Sequence, residues 1–288
     1  MAVTMAPSSK TPVTVFISSG EASLLERKVL IYSLRHNSTR ELDIRVFNGT
    51  HNTVEREGHP PEPAPMSLKV KYQNVTEFSN YRFLVPQVCG HQGRAISMDS
   101  DMIALGDIGE LFDADMDDNQ LLAKPSAYGS EADGQWGLSV MLIDCARTCF
   151  QLDRYFDEIQ EGLYSYTDLH QMRPRFLAHH PFDVGAIGGR WNEFDHRDKD
   201  TRLIHYTNLY TQPWKYRSHP HGDLWFDYFE QAKKAGYITD RDIELTLMRS
   251  FARRDLHEGN RLRLSSYLRR IGQDLMAELR CIRASDRF

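Results

Sequence analysis

The stretch 97–105 reads SMDSDMIAL and places two carboxylates, Asp99 and Asp101, one residue apart in an otherwise apolar run. The preceding residues 94–98 have the composition of a buried strand, in which side chains alternate between the two faces. If the strand persists, Asp99 and Asp101 project to the same side, with Ser100 opposite. Unpaired carboxylates repel one another and are costly to bury, whereas a divalent cation removes that cost. The spacing therefore favours a site for Mg²⁺, Ca²⁺ or Mn²⁺. The alternative is a solvated strand end that caps the following helix.

The N-terminal segment predicts an α/β fold. Residues 13–17 are β-branched and aromatic, as in a buried strand, and stop at Ser18, Ser19 and Gly20. Residues 42–47 read as the next strand. Apolar residues at helical spacing predict a helix between the two strands, namely Ala22, Leu25, Val29 and Tyr32. This order favours a βαβ unit, and the predicted fold class is a mixed, mainly parallel α/β sheet flanked by helices. In such sheets, ligands bind beyond the carboxyl ends of the strands.

The remaining elements extend this pattern towards a helical C-terminus. Residues 51–65 are polar and proline-rich, and we predict a loop there that contributes no core element. Further strands are predicted over 121–124, 139–143 and 203–204, and further helices over 80–89, 152–159 and 224–232 and from 262 onwards. The predicted organisation is a flexible N-terminus over 1–11, an α/β domain over 12–222, and a helical extension of the same domain over 223–288.

Composition and charge exclude several classes of protein. The 288 residues carry a formal charge of -5 and are 41% hydrophobic, which is typical of a globular protein rather than of a nucleic-acid binder with a basic face. The sequence contains no signal peptide and no apolar run long enough to span a membrane, so we expect a cytoplasmic protein without membrane association. The four cysteines lack CxxC spacing, which argues against a zinc site and against a disulfide framework.

A histidine far along the chain is a candidate third metal ligand. Leu203 and Ile204 read as a short buried strand that delivers His205 to a polar loop. Imidazole tolerates manganese, so Asp99, Asp101 and His205 could form one site with mixed oxygen and nitrogen ligands. The chain has 12 histidines, and an ordinary core or surface histidine is the alternative. Two others, His219 and His221, lie in the segment HPHG, which we expect to be a solvated loop.

Four stretches in this order resemble the retaining glycosyltransferases of family 8 and their bacterial relatives, which have the GT-A fold. The central one, residues 79–113, contains Arg82 and the Asp-x-Asp motif. The others are residues 13–38, residues 135–144, and RWNEFD (190–195) followed by LIHYTNLYTQPW (203–214). The resemblance implies that residues 12–222 form a GT-A domain that binds a nucleotide sugar.

The resemblance also implies roles for individual residues. The donor would be a nucleotide sugar, most often a UDP-sugar, and Asp99, Asp101 and His205 would hold Mn²⁺, with Mg²⁺ as the alternative, against its phosphates. Asp101 and Gln171 are the predicted catalytic residues. The predicted donor-binding residues are Ser18, Ser19, Gly20, Arg82, Asp99, Ser100, Asn208 and Gln212. Further candidates for sugar contacts are Asp144, Asp168 and Asp183.

The sequence departs from the family pattern in three ways. Gln212 stands where the family often has a lysine that contacts the diphosphate, and Lys215 or Arg217 could replace it. No aromatic residue follows the first strand to stack on a uracil. Residues 137–139 read Gly-Leu-Ser where the family has Asn-Ser-Gly, which bears on the contacts to the donor sugar. These departures make sugar transfer a firmer expectation than uridine specificity.

Two other functions remain open from the sequence. A sugar-nucleotide nucleotidyltransferase also combines such a sheet with a carboxylate-bound metal, but it usually has a basic, glycine-rich loop after the first strand. A non-catalytic nucleotide-sugar-binding protein is the second alternative. As a transferase, the protein would act on an unknown acceptor, either a saccharide, a small molecule or a lipid-linked molecule. We expect retention of the anomeric configuration, a possible homo-oligomer and no nucleic-acid partner.

Overall fold

The computed structural model describes residues 11–69, 72, 75–125 and 134–256. Apart from Thr11, the predicted flexible N-terminus lies outside these residues, as do Cys281 and the helix predicted from 262. None of the helices in the described part of the chain is both long enough and apolar enough to cross a membrane.

The predicted strands and helices that fall within the described residues occur in the predicted order, with further short elements between them. The strands are β1 (Val13–Ser19), β2 (Leu42–Asn48), β3 (Thr53–Arg56), β4 (Glu62–Pro63), β5 (Arg94–Asp99), β6 (Met102–Ala104), β7 (Leu121–Pro125), β8 (Trp136–Asp144), β9 (Val184–Ala186), β10 (Glu193–Phe194) and β11 (Leu203–His205). The α-helices are α1 (Leu24–Asn37), α2 (Val85–Val88), α3 (Ile108–Phe112), α4 (Leu152–Gln160), α5 (Tyr166–His170), α6 (Pro174–His179), α7 (Gly222–Lys234) and α8 (Asp240–Met248). Short 3₁₀ turns cover Glu21–Ser23, Tyr81–Leu84 and Gly189–Trp191.

The main sheet is mixed and mainly parallel, as predicted. Its strand order is β4-β3-β2-β1-β5-β8-β7-β9, and only β3 and β8 run against the other six strands. The parallel strands β2, β1 and β5 lie side by side, with Ser19 opposite Asn48 and Ser18 opposite Asp99. Their carboxyl ends therefore meet at one edge of the sheet, where a ligand site is expected.

A second, three-stranded sheet brings His205 to this edge. Its order is β10-β11-β6, and the antiparallel register of β11 and β6 places His205 opposite Met102, directly after the Asp-x-Asp motif. The predicted continuous strand through the motif is wrong, because β5 ends at Asp99 and the chain passes to the second sheet at Met102. Strand alternation therefore does not set the direction of Asp101.

The proline-rich segment 51–65 contributes to the core, which corrects the prediction of a loop. Strands β3 and β4 extend the main sheet as antiparallel edge strands, and Val54 and Ala64 are buried. Pro63 is tolerated because an edge strand does not need every backbone N–H for pairing. The charged residues between the apolar positions hid this pattern in the sequence.

The C-terminal helices pack on α1. Trp225 and Phe229 of α7 are buried in the same apolar cluster as Leu25 and Val29 of α1. Lys28 donates a hydrogen bond of 2.7 Å to Asp242, a carboxylate that also completes a capping box with Thr239 at the start of α8. Gly236 ends the preceding helix region with φ +82°, a conformation that favours glycine.

Candidate functional site

Two adjacent cavities open where β1, β2 and β5 end. The central cavity, of about 330 Å³, is lined by Arg82, Asp99, Asp101, Ser139, His170 and Gln171 among others. The side cavity, of about 680 Å³, is lined by Glu21, Glu26, Ser100, Asp101, Gln212 and Lys215 among others. Asp101, Thr76 and Phe78 line both cavities, so the second carboxylate of the motif lies at their junction.

Asp99 is held by an arginine. The Arg82 Nη2 atom lies 2.8 Å from Asp99 Oδ1, and Arg82 Nε donates to the Ser79 carbonyl oxygen at 3.1 Å. Burial raises the pKa of Asp99, the nearby Asp101 charge adds to this, and the Arg82 charge only partly offsets it. The sequence predicted Arg82 and Asp99 as neighbours of the donor, and the fold brings them together.

Asp101 pairs with His205. The His205 Nε2 atom lies 3.0 Å from Asp101 Oδ1, and the imidazole is buried. Burial alone would lower the pKa of His205, but the Asp101 charge and hydrogen bond, together with Asp99, raise it instead. The pair therefore favours a proton between His205 Nε2 and Asp101.

Asn192 fixes the orientation of His205. The Asn192 Oδ1 atom lies 3.2 Å from His205 Nδ1, and Asn192 Nδ2 donates to Ser139 Oγ at 2.9 Å. Lys124 Nζ donates to the Asn192 carbonyl oxygen at 2.7 Å. Because Asn192 accepts from Nδ1, the other ring nitrogen, Nε2, faces Asp101. This is the ring orientation that a metal-binding histidine needs.

Three predicted residues carry buried polar atoms without hydrogen-bond partners in the described structure, namely Ser18 Oγ, Gln171 Oε1 and Gln212 Oε1. Buried polar atoms are paired in the great majority of cases, so each of these needs an explanation. Gln171 lines the central cavity and Gln212 the side cavity. Gln212 Nε2 donates to the Tyr206 carbonyl oxygen at 3.1 Å and lies 3.4 Å from Asp101 Oδ2. A bound ligand at the junction would offer partners to these two amides.

The ligand atoms offered at the junction of the two cavities suit a divalent cation. Two carboxylates and one imidazole are suitable ligands for Mn²⁺ or Mg²⁺. Within residues 11–69, 72, 75–125 and 134–256, no three His, Cys, Asp or Glu side chains are already arranged as a metal site. Asp99 is paired with Arg82, and Asp101 with His205. A cation would therefore replace the proton between Asp101 and His205.

Gly20 is covered by the protein itself. A Cβ atom at Gly20 would lie 1.6 Å from Glu77 Oε1, and one at Gly49 would lie 2.2 Å from the Glu77 carbonyl oxygen. Thr50 Oγ1 donates to Glu77 Oε2 at 2.8 Å. The two glycines thus allow residues 75–79 to pack onto the ends of β1 and β2. The group that lies closest to Gly20 is therefore the Glu77 side chain.

The other predicted residues fall into two groups. Ser100 is buried and lines the side cavity, whereas Ser18, Ser19, Gly20 and Asn208 are not among the residues that line either cavity. Of the two cations offered as replacements at Gln212, Lys215 lines the side cavity, and Arg217 Nε donates to Asp255 at 3.0 Å.

The three further candidates for sugar contacts have local roles. Asp168 accepts hydrogen bonds from Ser165 and caps α5, and Asp144 accepts from the backbone of Ala146 and Arg147. The backbone N–H of Asp183 donates to Gln120 Oε1 at 3.1 Å. None of the three is among the described residues that line the two cavities.

Several residues near the site were missed from the sequence. His219 is buried and bonded to Asp195, so the prediction of a solvated HPHG loop is wrong for this residue. Glu26 and Lys124 belong to no sequence motif, since each is an ordinary charged residue within a helix or a strand. Helical spacing could have placed Glu26 on the buried face of α1, next to Leu25 and Leu30.

Glu26 predicts a stability change with pH. Burial raises the pKa of Glu26 from 4.5 to about 8, against the opposing effects of its own backbone N–H and of Lys215. Between these pH values the unfolded carboxyl loses its proton and the folded one keeps it, so stability falls as pH rises, by an amount on the order of 5 kcal/mol. Glu26→Gln should therefore be more stable than the wild type at about pH 8 and show a flatter profile from about pH 5 upwards. Urea unfolding of both proteins across this pH range gives the free energy of unfolding at each pH. The same change of this free energy with pH in both proteins would contradict the prediction.

The geometry can be compared with solved structures. The galactosyltransferase LgtC, solved with donor and acceptor sugar analogues, superposes with a TM-score of 0.55 at 13% identity, over 78% of this chain and 100% of that chain. The bifunctional glycosyltransferase WbbM gives a TM-score of 0.57 at 15% identity, over 84% of this chain. The chain has the fold of the GT-A glycosyltransferases.

The third similar structure is again a glycosyltransferase. The glycosyltransferase GlyE of Streptococcus pneumoniae gives a TM-score of 0.54 at 16% identity, over 84% of this chain and 64% of that one. The GT-A chain described here spans about half of WbbM, 52% of its length. No family model matches the sequence, and no curated protein matches it. At these identities the likeness establishes the fold, and activity follows from the site.

Proposed function

We propose that the protein is a metal-dependent glycosyltransferase that moves a hexose from a nucleotide sugar, in the first place a UDP-sugar, to an acceptor. The observation that carries this proposal is the Asp101–His205 pair beside Asp99, at the junction of two cavities beyond the carboxyl ends of the strands. The GT-A fold supports it, because solved structures with this fold include glycosyltransferases.

In this proposal the nucleotide sugar occupies both cavities. We assign the nucleotide to the side cavity, which is about twice as large and contains Ser100 and the cation Lys215. The sugar then lies in the central cavity, near Gln171 and Ser139. The diphosphate crosses the junction at Asp101, since this residue lines both cavities. This assignment gives Gln171 and Gln212 partners for their unpaired oxygens.

Asp99, Asp101 and His205 would hold the Mn²⁺ ion. When bound, a divalent cation stabilises the negative charge that develops on a departing diphosphate. Arg82 orients the Asp99 carboxylate, Gln212 lies against Asp101, and Asn192 fixes the ring of His205. These contacts orient each side chain, and a bound cation would draw the three together, since within the described residues they do not already form a metal site.

Retention, which the resemblance implies, would proceed by front-face displacement in the central cavity. Asp99 and Asp101, the two carboxylates among its lining residues, are paired with Arg82 and His205. Neither is free to attack the sugar as a nucleophile. The leaving diphosphate would then accept the proton of the acceptor hydroxyl, while the Gln171 amide oxygen faces the reacting sugar. The acceptor is a saccharide, a small molecule or a lipid-linked molecule.

Thermal shift measurements test this function. We expect UDP with Mn²⁺ to raise the melting temperature more than UDP alone, and more than GDP or ADP with Mn²⁺. Metal-independent stabilisation by every nucleotide would argue against the donor assignment. A complete absence of shift, together with no release of UDP from any UDP-sugar, would leave no support for a transferase. Transfer of a nucleotidyl group instead would favour the alternative enzyme class.

A further inference from the structure

His219 lies at the centre of a buried polar cluster behind His205. Its side chain is fully buried, and its Nε2 atom lies 3.1 Å from Asp195 Oδ1. The ring packs against Tyr206 with a centroid separation of 4.7 Å, and its Nδ1 atom accepts from the backbone N–H of His221 at 3.0 Å. Both ring nitrogens and one ring face are therefore engaged within the protein.

Asp195 joins this histidine to the segment that follows His205. The Asp195 carboxylate accepts from Thr207 Oγ1 and from the backbone N–H of Asn208, the latter at 3.1 Å. The backbone N–H of Asp195 donates to the His205 carbonyl oxygen at 2.9 Å. One residue thus binds the chain at His205, at Thr207 and at Asn208, which fixes the exit of β11.

The backbone at Asp195 is unusual. Its φ is +51°, in the left-handed region that Asp and Asn tolerate better than most residues with a side chain. This conformation follows β10 directly and turns the Asp195 carboxylate towards the loop after His205. Hydrogen bonds from His219, Thr207 and Asn208 offset the strain of this conformation.

We propose that Asp195 and His219 are positioning residues, which hold His205 and the loop 206–208 in the geometry that metal-dependent nucleotide binding requires. Neither residue lines the two cavities, so they act through His205 and not by touching the donor. The inference rests on the proposed function, because it assigns a role towards the metal and the nucleotide at the same site.

Asp195→Asn is the most direct test. Asparagine tolerates the same backbone conformation but has one acceptor oxygen in place of two, and it carries no charge to pair with His219. We expect the Kd of UDP measured with Mn²⁺ to rise at least about tenfold, equivalent to about 1.4 kcal/mol. The Kd of UDP without metal should change less than about twofold, since His205 acts through the cation.

Asp198→Asn is the matched control. Asp198 is exposed, and its carboxylate accepts from the backbone N–H groups of Asp200 and Thr201, which lie before β11 and not in the segment after His205. Calorimetric titration of wild type, Asp195→Asn and Asp198→Asn with UDP, with and without Mn²⁺, gives the coupling between metal and nucleotide. The control should keep the coupling of the wild type.

The possible outcomes separate the two proposals. Loss of coupling in Asp195→Asn with retained metal-free binding supports the positioning role. Wild-type coupling in this variant, or equal weakening with and without metal, overturns it. If Asp195→Asn does not fold, Thr207→Val removes one donor to Asp195 and should reduce the coupling in the same direction. An absence of coupling in the wild type itself would refute the metal-dependent function, and the positioning role with it.

Discussion

Replacing Asp101 by asparagine is expected to abolish metal-dependent sugar transfer, with a fall in turnover of at least about a thousandfold. Asp101 lies at the junction of both cavities and faces His205 at 3.0 Å. Asparagine is of similar size but removes the charge that a divalent cation needs. Initial rates of UDP release from UDP-sugars with saturating Mn²⁺ measure the effect.

Asp118→Asn provides the control for this substitution. Asp118 is exposed and lies in an acidic turn after α3. Its backbone carbonyl oxygen accepts a hydrogen bond from the Arg147 side chain, and the substitution preserves this contact. The control should release UDP at the wild-type rate. Full activity and an unchanged Mn²⁺ response in Asp101→Asn would show that the metal assignment is wrong.

Trp214→Ala should lower the free energy of unfolding by an amount on the order of 3–5 kcal/mol. The Trp214 ring is 1% exposed and packs against Trp225 at a centroid separation of 5.4 Å and against Tyr206 at 6.1 Å. Removing it leaves a cavity between the loop after β11 and α7. Denaturant unfolding of the wild type and the variant at one pH gives the difference.

Trp214→Phe separates packing from other effects at this position. Phenylalanine keeps an aromatic ring against Trp225, and the indole N–H that it removes has no hydrogen-bond partner in the described structure. We expect a loss of roughly 1–2 kcal/mol for this variant. A loss below about 1 kcal/mol in Trp214→Ala would show that the cluster tolerates the cavity or refills it.

The sequence was sufficient for the central parallel strands and for the edge at which their carboxyl ends meet. Residues 13–17, 42–47 and 94–98 read as strands because they are apolar and β-branched, and parallel strands bring their carboxyl ends together. The meeting of His205 with Asp101 was predicted from the short buried strand that ends at His205 and from the resemblance to family 8, and the pairing of β11 with β6 brings it about.

Other features depended on contacts that no local pattern contains. The direction of Asp101 is set by the passage of the chain into the second sheet at Met102, and not by strand alternation. His219 is buried because Asp195, 24 residues earlier, offers a carboxylate to it. The hairpin β3–β4 was hidden because its prolines and charges are typical of loops, although an edge strand accepts both.

The most direct test of the function is a donor screen with product analysis. Wild-type protein is incubated with UDP-hexoses and a panel of saccharide acceptors, with Mn²⁺ or with EDTA, and released UDP and the anomeric configuration of any product are measured. We predict Mn²⁺-dependent release of UDP from the proposed site at Asp99, Asp101 and His205, and a product that retains the donor configuration, as the resemblance to family 8 implies. An inverted product would contradict front-face displacement, and undiminished release in EDTA would contradict the role assigned to the metal.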